Sequence, residues 1–433
     1  MKALVLDLLR VVAVGAPLPW SRAARDVTVA LGGTGTSTVL LTGERLDAAR
    51  AAFVTGAYAH ACDLDDTHVG SMHHAGASIL PAVFALGEAE NASGRSLLEA
   101  AIIGYEASLR LGLAAQPALF QRGFMATPTC GGLGAALACG RLLGFDTKDM
   151  AGALGAATNY IGGLAQFYHS GSIVKRINGG RGAEAGVMAA LLVKAGIWGP
   201  RDILEGTAGF FNAYSGAAKP ERVTDQLGQT FRLMEVSTKV HAGAGRLQAT
   251  VDGGLTLGAA HGLAPDDVVD CEVGIPEVIR DKLTHGNPPD LQSAQLSVPF
   301  SLAMALSLGR TRGARAAIRR EDYEAALANA EVRALSSRVR CVVDPEIEAG
   351  TTSEEVPSRV TVKLRDGREF VARVPHPRGS PHLRMDWSDL RALFRDSVLG
   401  ALPDDRIDRV ANLVAALDST TTVRELTSAF VTG

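Results

Sequence analysis

Over the first half of the chain, apolar and polar positions follow a helical pattern. From the start to about residue 235 the sequence is rich in Ala, Gly and Leu, and residues 94–101 carry the start signals of a packed helix. An apolar run at residues 3–14 is interrupted by Asp7 and Arg10, which favours an amphipathic helix over a signal peptide. Small residues at 131–137 and 179–183 predict helices that approach one another closely. This part of the chain therefore predicts an all-α domain.

The pattern changes after about residue 236, where the alternation typical of strands begins. Strands are predicted at Val268–Ile275, 338–343, 360–364 and Glu369–Val374, with helices at 297–308 and 320–327. Asp366 and Gly367 are predicted to form a two-residue hairpin turn, because both positions tolerate positive φ. Residues 237–375 therefore predict a smaller α+β domain.

After residue 375 the helical pattern returns, at 387–399 and 406–417. In the simplest topology this tail, residues 376–433, rejoins the helical domain of residues 1–236. The predicted fold is mainly α: a large all-α domain built from both chain ends, with a smaller α+β domain inserted between them.

Composition narrows the class of partner. The 433 residues are 47% apolar, enough for a large core divided among two or three domains. A formal charge of -3 without any Lys/Arg-rich run argues against nucleic acid or a membrane surface, and no stretch has membrane-spanning length. The five cysteines form no CxxC pair, which favours the cytoplasm over an oxidising compartment. A small metabolite is the expected partner.

Acid and base side chains are concentrated in residues 60–74. This segment holds three aspartates and four of the ten histidines of the chain. Asp and His are the side chains that proton transfer uses, so the segment predicts an enzyme that moves protons. No glycine-rich stretch follows a strand with nucleotide-binding spacing, and no cofactor is expected. Lysine is rare, with 8 lysines among the 43 basic residues, and two of them matter below.

Several motifs together make the chain resemble the MmgE/PrpD family, whose members include 2-methylcitrate dehydratase, cis-aconitate decarboxylase and iminodisuccinate epimerase. The motifs are HACDLDDT at 60–67 with His73 and Gly76, GFD at 144–146, KRINGGR at 175–181, LRDGR at 364–368 and HPRGS at 376–380. The resemblance covers nearly the whole chain. It implies an all-α domain with an α+β lid, usually in a homodimer, and chemistry without a cofactor or metal. Relatives also have one or two helices before the position of Met1, which implies that either the true start lies upstream or these entry helices are missing.

The activity implied by the resemblance is that of a lyase of the dehydratase type. It would act on a hydroxy di- or tricarboxylic acid, or another carboxylate-bearing metabolite, by removing a proton next to a carboxylate and releasing water. An isomerase or epimerase and a decarboxylase are the alternatives within the family.

Carried over residue by residue, the resemblance implies a catalytic group of Asp63, His73 and Lys175. It implies a set of substrate-binding residues as well: Thr67, Lys239, Arg176 and His241. Lysines suit substrate carboxylates because charge-assisted contacts are strong in a partly buried cleft. His73 is the best acid or base because its intrinsic pKa lies near neutrality, and Asp63 either orients it or acts as the base itself.

Three positions depart from the family pattern. Met125, Ala244 and Phe300 stand where relatives carry a pocket histidine, a lid histidine and, in decarboxylase-like members, a tyrosine. A more apolar pocket that takes a less charged or bulkier acid is expected.

Two functions of other classes stay open. One is a catalytically impaired relative that only binds carboxylates. The other is a metal-dependent hydrolase, whose ligands would come from one set: His60, Asp63, His68, His73 and His74.

Overall fold

The computed structural model describes residues 1–432, apart from the side chains of residues 169 and 170. Two compact units make up the chain, Met1–Val236 with Met385–Gly433, and Ser237–Arg384. The sequence pattern predicts the corresponding boundaries at residues 236 and 375. Helices dominate and the sheets are small, so the predicted mainly-α fold class is confirmed.

The helices and strands are numbered here in chain order. The first unit contains α1 Lys2–Gly15, α2 Pro19–Ala30, β1 Ser37–Thr38, β2 Arg45–Leu46, α3 Ala48–Ala59, α4 Gly76–Ala89, α5 Gly94–Ala115, α6 Ala118–Gln121, α7 Ala126–Leu142, α8 Thr147–Ala157, α9 Phe167–Ser170, α10 Asn178–Lys194 and α11 Glu221–Thr224. The second unit contains α12 Gln248–His261, β3 Val268–Ile275, α13 Leu291–Gln295, α14 Val298–Arg312, α15 Arg320–Ala328, α16 Ala330–Ser336, β4 Val339–Val343, α17 Pro345–Gly350, β5 Ser358–Leu364 and β6 Glu369–Val374. The first unit is completed by α18 Trp387–Val398, α19 Asp404–Ala415 and α20 Val423–Phe430.

Helices α3, α4, α5, α7 and α10 pack against one another in the first unit. Glycine permits the close crossings that the small-residue runs predicted. A Cβ atom at Gly180 would lie 2.2 Å from the Phe53 carbonyl oxygen, and one at Gly134 would lie 2.5 Å from the Gly104 carbonyl oxygen. The absence of a side chain at these glycines therefore lets α10 pack closely on α3, and α7 on α5.

The sequence predicts that α1 is amphipathic, but most of this helix is buried on every side. All of its side chains from residue 4 to residue 13 are buried, including Asp7 and Arg10. These two charges lie 2.6 Å apart, one helical turn from each other. Because the Asp7 carboxylate and the Arg10 guanidinium neutralise each other, neither charge has to face solvent.

The second unit contains a four-stranded sheet in the order β4-β3-β5-β6, in which only the β3–β4 pair is parallel. The predicted hairpin of β5 and β6 is present, but its turn differs from the prediction. The Leu364 N–H donates to the Arg368 carbonyl oxygen, which leaves a loop of three residues, 365–367. Gly367 has a positive φ of 88°, whereas Asp366 instead accepts the Arg368 N–H through its carboxylate. A three-residue loop needs only one left-handed position.

Helices α1 and α2 are the one candidate for a membrane-spanning segment in the described part of the chain. No single helix there has both the length and the apolar composition to cross a bilayer, although the bent pair of α1 and α2 passes these two criteria taken together.

Candidate active site

The segment that connects α3 to α4 folds into a compact loop that buries its acid and base groups. Backbone hydrogen bonds join His68 and His73 in both directions, at 2.9 and 3.3 Å. Met72 in the turn between them has a positive φ of 51°. Asp66 fixes the far end of the loop by accepting the first N–H of α4, that of Gly76, at 2.9 Å. The carboxylates and imidazoles that the sequence concentrates in this segment are therefore held in a defined geometry.

Asp63 and Lys175 form a buried ion pair. The Lys175 ammonium donates to Asp63 Oδ2 at 2.7 Å, and both side chains are almost completely buried. Lys175 lies on the short 3₁₀ turn Val174–Ile177 that leads into α10. Asp63 has a φ of 55°, in the left-handed region that costs most residues free energy. The loop thus holds a strained aspartate against a lysine more than one hundred positions away, as functional sites often do.

His73 is fully buried, and neither of its ring nitrogens has a hydrogen-bond partner among the described residues. Burial lowers the pKa of His73 well below its usual value, and the neighbouring His74, His68 and His60 lower it further. The imidazole is therefore neutral near pH 7. An unpaired buried polar group costs about 1–3 kcal/mol, so stability does not account for a histidine at this position. Its two nitrogens remain available for proton transfer.

The other histidines of the loop are engaged. His68 accepts the Ser71 N–H at Nδ1, so its Nε2 carries the proton and donates to Glu235 at 3.0 Å. Burial works to raise the pKa of Glu235, but the hydrogen bonds from His68 and Arg232 outweigh it and lower that pKa. His68 therefore supports the loop. Glu235 could not be assigned from sequence, because it lies 167 positions away.

His60 and His74 flank Asp65. His60 Nδ1 lies 2.7 Å from Asp65 Oδ2, and the rings of His60 and His74 are 5.1 Å apart. Their nitrogens and the carboxylate form one of the groups able to hold a metal ion among the described residues. This trio shares only two histidines with the set expected from sequence. Asp63 is instead paired with Lys175, and His68 with Glu235.

The Asp66 carboxylate also binds Tyr105, whose hydroxyl donates a hydrogen bond to Oδ2 at 2.6 Å. Burial raises the pKa of Asp66 to about 7, and the charge of Asp65 adds to the rise, although the Tyr105 and Gly76 hydrogen bonds oppose it. The sequence does not indicate Tyr105 as a residue of this site. It lies on α5, where periodicity predicts only a buried helical face.

We expect Asp66→Asn to remove a pH-dependent part of the stability. The native wild type keeps a proton on Asp66 that the unfolded chain releases near pH 3.8, so its unfolding free energy should fall as pH rises from about 4 to about 7. Asparagine can still accept the Gly76 N–H and donate to the Tyr105 oxygen. Urea unfolding at about pH 5 and about pH 8 should show the variant gaining on the wild type at the higher pH. An offset independent of pH would contradict this assignment.

Two further predicted substrate-binding residues belong to the first unit. Thr67 is buried in the same loop. Arg176 is buried beside Lys175, and its guanidinium lies 5.8 Å from the centre of the Trp20 ring. Stacking on an aromatic ring orients a guanidinium through its flat face, so it does not require the N–H groups to form hydrogen bonds with that ring.

The second unit holds the remaining predicted site residues. Lys239 is buried and donates to the Gly243 carbonyl oxygen at 3.3 Å. His241 accepts the Ile318 N–H at Nδ1, while its Nε2 lies 3.1 Å from Asp252. Burial lowers the pKa of His241 despite the opposing effect of Asp252. Because both ring nitrogens of His241 contact groups of the second unit, this residue is better suited to fixing the positions of Ile318 and Asp252 than to binding a substrate directly.

Comparison with known proteins identifies the relationship. The model of the MmgE/PrpD N-terminal domain matches residues 1–223, and that of the MmgE/PrpD C-terminal domain matches residues 241–419. The chain belongs to the MmgE/PrpD family.

Three curated relatives are named for, or for their likeness to, cis-aconitate decarboxylase. Cis-aconitate decarboxylase-like protein oryM of Aspergillus oryzae is 26% identical over 98% of this chain and 91% of its own. Cis-aconitate decarboxylase of Aspergillus terreus is also 26% identical, over 98% and 90%. The human cis-aconitate decarboxylase is 27% identical over 86% of this chain and 77% of its own.

The three departures from the MmgE/PrpD pattern are divided between the two units, with Met125 in the first and Ala244 and Phe300 in the second. Met125 packs with Ala165, Phe167 and Phe120. Phe300 is fully buried in the second unit, with its ring 6.4 Å from that of Tyr323. Ala244 contributes its backbone N–H to the Gln295 carbonyl oxygen.

Gly131→Ala is expected to lower turnover. A Cβ at this position in α7 would lie 2.9 Å from His73 Nε2 and 2.7 Å from the Ser78 hydroxyl, so the imidazole would have to move. Gly134→Ala, on the same helix, meets a backbone oxygen instead and should mainly lose stability. Steady-state kinetics and thermal melting of both variants test this contrast. Wild-type turnover in Gly131→Ala would show that the space beside His73 is not used.

Proposed function

We propose that the chain is a lyase that acts on a small carboxylate without a cofactor, transferring a proton through His73 and releasing water. The observation that carries this proposal is the neutral, buried imidazole of His73, which has no hydrogen-bond partner in the described part of the protein. Asp63 lies at the start of the same loop, and the Lys175 ammonium paired with it is a buried cationic group for a substrate carboxylate.

Lys175 has a role that differs between the ground state and the transition state. Removing a proton next to a carboxylate shifts negative charge onto the carboxylate oxygens, and a buried ammonium stabilises that charge more strongly than water does. Asp63 holds the ammonium in place at 2.7 Å. A substrate carboxylate would share the lysine with Asp63, so the lysine needs no reorientation during the reaction.

His73 would act first as base and then as acid. A di- or tricarboxylate brings negative charge that favours the imidazolium, which offsets the burial that keeps the free histidine neutral. His73 takes the proton from the carbon next to the carboxylate, and the electron pair of that C–H bond becomes the new C=C bond. The hydroxyl on the neighbouring carbon leaves with the proton returned by His73, so one water is released.

Decarboxylation is the second candidate, because two relatives that match nearly the whole chain are named cis-aconitate decarboxylase and cis-aconitate decarboxylase-like protein. In that reaction the C–CO₂⁻ bond breaks, its electron pair stays on carbon, and protonated His73 supplies the proton that completes the C–H bond. The apolar residues Met125, Ala244 and Phe300 favour an acid that is less charged or bulkier than the tricarboxylates expected of the family. Returning the proton without loss of a group would give an epimerase.

NMR in deuterium oxide tests the proposal with chelator present and a panel of hydroxy, unsaturated and amino di- and tricarboxylates. New alkene signals from a hydroxy acid support dehydration, whereas release of carbon dioxide from an unsaturated acid supports decarboxylation. Deuterium exchange alone supports the epimerase. Binding of an acid without product or exchange would contradict the lyase and favour a binding protein, and activity that the chelator abolishes would favour the metal-dependent hydrolase.

A further inference from the structure

Two loops of the second unit bring a buried carboxylate and two imidazoles together, in residues that the proposed reaction does not use. Glu355 lies in the loop before β5, and His376 and His382 lie in the loop that follows β6. His376 Nδ1 is 2.6 Å from Glu355 Oε1, and His382 Nδ1 is 2.9 Å from the same oxygen. The two rings stack with their centres 5.0 Å apart.

The carboxylate of Glu355 is only partly satisfied by these contacts. Its side chain is 5% exposed, and its second oxygen, Oε2, has no hydrogen-bond partner among the described residues. The imidazoles are about half exposed, at 46% and 50%. A buried acceptor without a partner costs free energy, which a cation held at the same place would offset. The exposed rings leave a path from solvent for that cation.

Both loops are held by their own hydrogen bonds. The Thr352 N–H donates to the Glu355 carbonyl oxygen at 3.1 Å, which closes the first loop. In the second, the Gly379 N–H donates to the Leu383 carbonyl oxygen at 2.9 Å, and Arg378 is anchored to Asp252 at 2.7 Å. The three side chains therefore project from a prearranged backbone, which lowers the entropic cost of binding an ion.

We propose that Glu355, His376 and His382 form a binding site for a divalent transition-metal ion of the Zn²⁺ class. Their ligand atoms all lie within 4.8 Å of one another. Imidazole nitrogen and carboxylate oxygen are standard zinc ligands, and bonds of about 2.0–2.2 Å in a tetrahedron require ligand atoms about 3.3 Å apart. The two nitrogen–oxygen distances, 2.6 and 2.9 Å, are shorter than that value, and outward movement of each half-exposed imidazole by less than about 1 Å opens them to it.

Glu354 or water would supply the fourth ligand. The Glu354 carboxylate already lies 3.6 Å from His382 Nδ1. A bound ion would join the loop before β5 to the loop after β6, and the second loop carries the Arg378 that holds Asp252 beside His241. The site is thus structural, and it stands independently of the proposed lyase reaction.

Calorimetric titration of the full chain with Zn²⁺ tests the site, with Co²⁺ absorption as a second probe of tetrahedral coordination. We expect one ion whose affinity falls by at least about tenfold in His382→Ala, because loss of even an outer partner of a ligand has that effect. His285→Ala removes another exposed histidine of the same unit and should bind like the wild type.

Glu355→Gln is a second, independent test of the zinc site, because glutamine keeps the size of the side chain and removes its charge. It should weaken zinc binding and abolish any rise in melting temperature that zinc causes in the wild type. A wild type that does not bind zinc would overturn the proposal. So would equal affinities of the wild type, His382→Ala and Glu355→Gln, which would assign the ion to other residues such as the group His60, Asp65 and His74.

Discussion

Replacing Lys175 with methionine is expected to abolish measurable turnover and to lower the free energy of unfolding by about 3–5 kcal/mol. The loss of stability arises because the variant leaves the Asp63 carboxylate buried without its counter-ion, which lies 2.7 Å away in the wild type. The loss of activity arises because the Lys175 ammonium is no longer there to stabilise the negative charge that develops in the transition state. Urea unfolding and steady-state kinetics measure the two effects separately.

A double variant separates the charge pair from catalysis. Combining Lys175→Met with Asp63→Asn removes both buried charges, so much of the stability should return while activity stays absent. Lys194→Met is the matched control, because this lysine lies at the end of α10 in an exposed pair with Glu90 and should change stability by less than about 1 kcal/mol. Wild-type turnover in the Lys175→Met variant would refute the role given to this residue.

His73→Leu is expected to lower turnover by about 10²–10⁴-fold without loss of stability. The wild-type ring nitrogens have no partner among the described residues, so an apolar side chain of similar size removes a desolvation cost and breaks no hydrogen bond. Thermal melting and kinetics on the same preparation test the two halves of this prediction. Such a trade-off between stability and activity is typical of a functional residue.

His68→Leu is the control for this experiment. Both nitrogens of His68 are engaged, by Ser71 and by Glu235, so its replacement should cost about 1–3 kcal/mol of unfolding free energy. If His73→Leu instead lost as much stability as His68→Leu and kept its turnover, His73 would be a structural residue.

Most of the fold follows from hydrophobic periodicity. The predicted strands at Val268–Ile275 and Glu369–Val374 have the bounds seen in the structure, and the predicted helices at 320–327, 387–399 and 406–417 match α15, α18 and α19 to within two residues. These elements bury one face against a neighbour, so their period survives in the sequence. The N-terminal helix and the hairpin turn were less predictable, because pairing of Asp7 with Arg10 and the choice of loop length depend on three-dimensional context.

The site could be predicted only in part. Concentration of Asp and His points to the segment 60–74, and the resemblance to the MmgE/PrpD family implies Asp63, His73 and Lys175 within it and beside it. The sequence gives no sign that Tyr105 and Glu235 approach the loop, since long-range packing brings them there. It also cannot show that both ring nitrogens of His73 lack a hydrogen-bond partner among the described residues, because that depends on where every neighbouring donor and acceptor lies.

Deuterium incorporation tests the role of His73 most directly. The wild type and His73→Leu would be incubated in deuterium oxide with the acid that the panel identifies, and labelling at the carbon next to the carboxylate would be followed by NMR. The account predicts turnover-dependent labelling of substrate or product by the wild type and none above background by a folded His73→Leu variant. Labelling at the wild-type rate by the variant would contradict it.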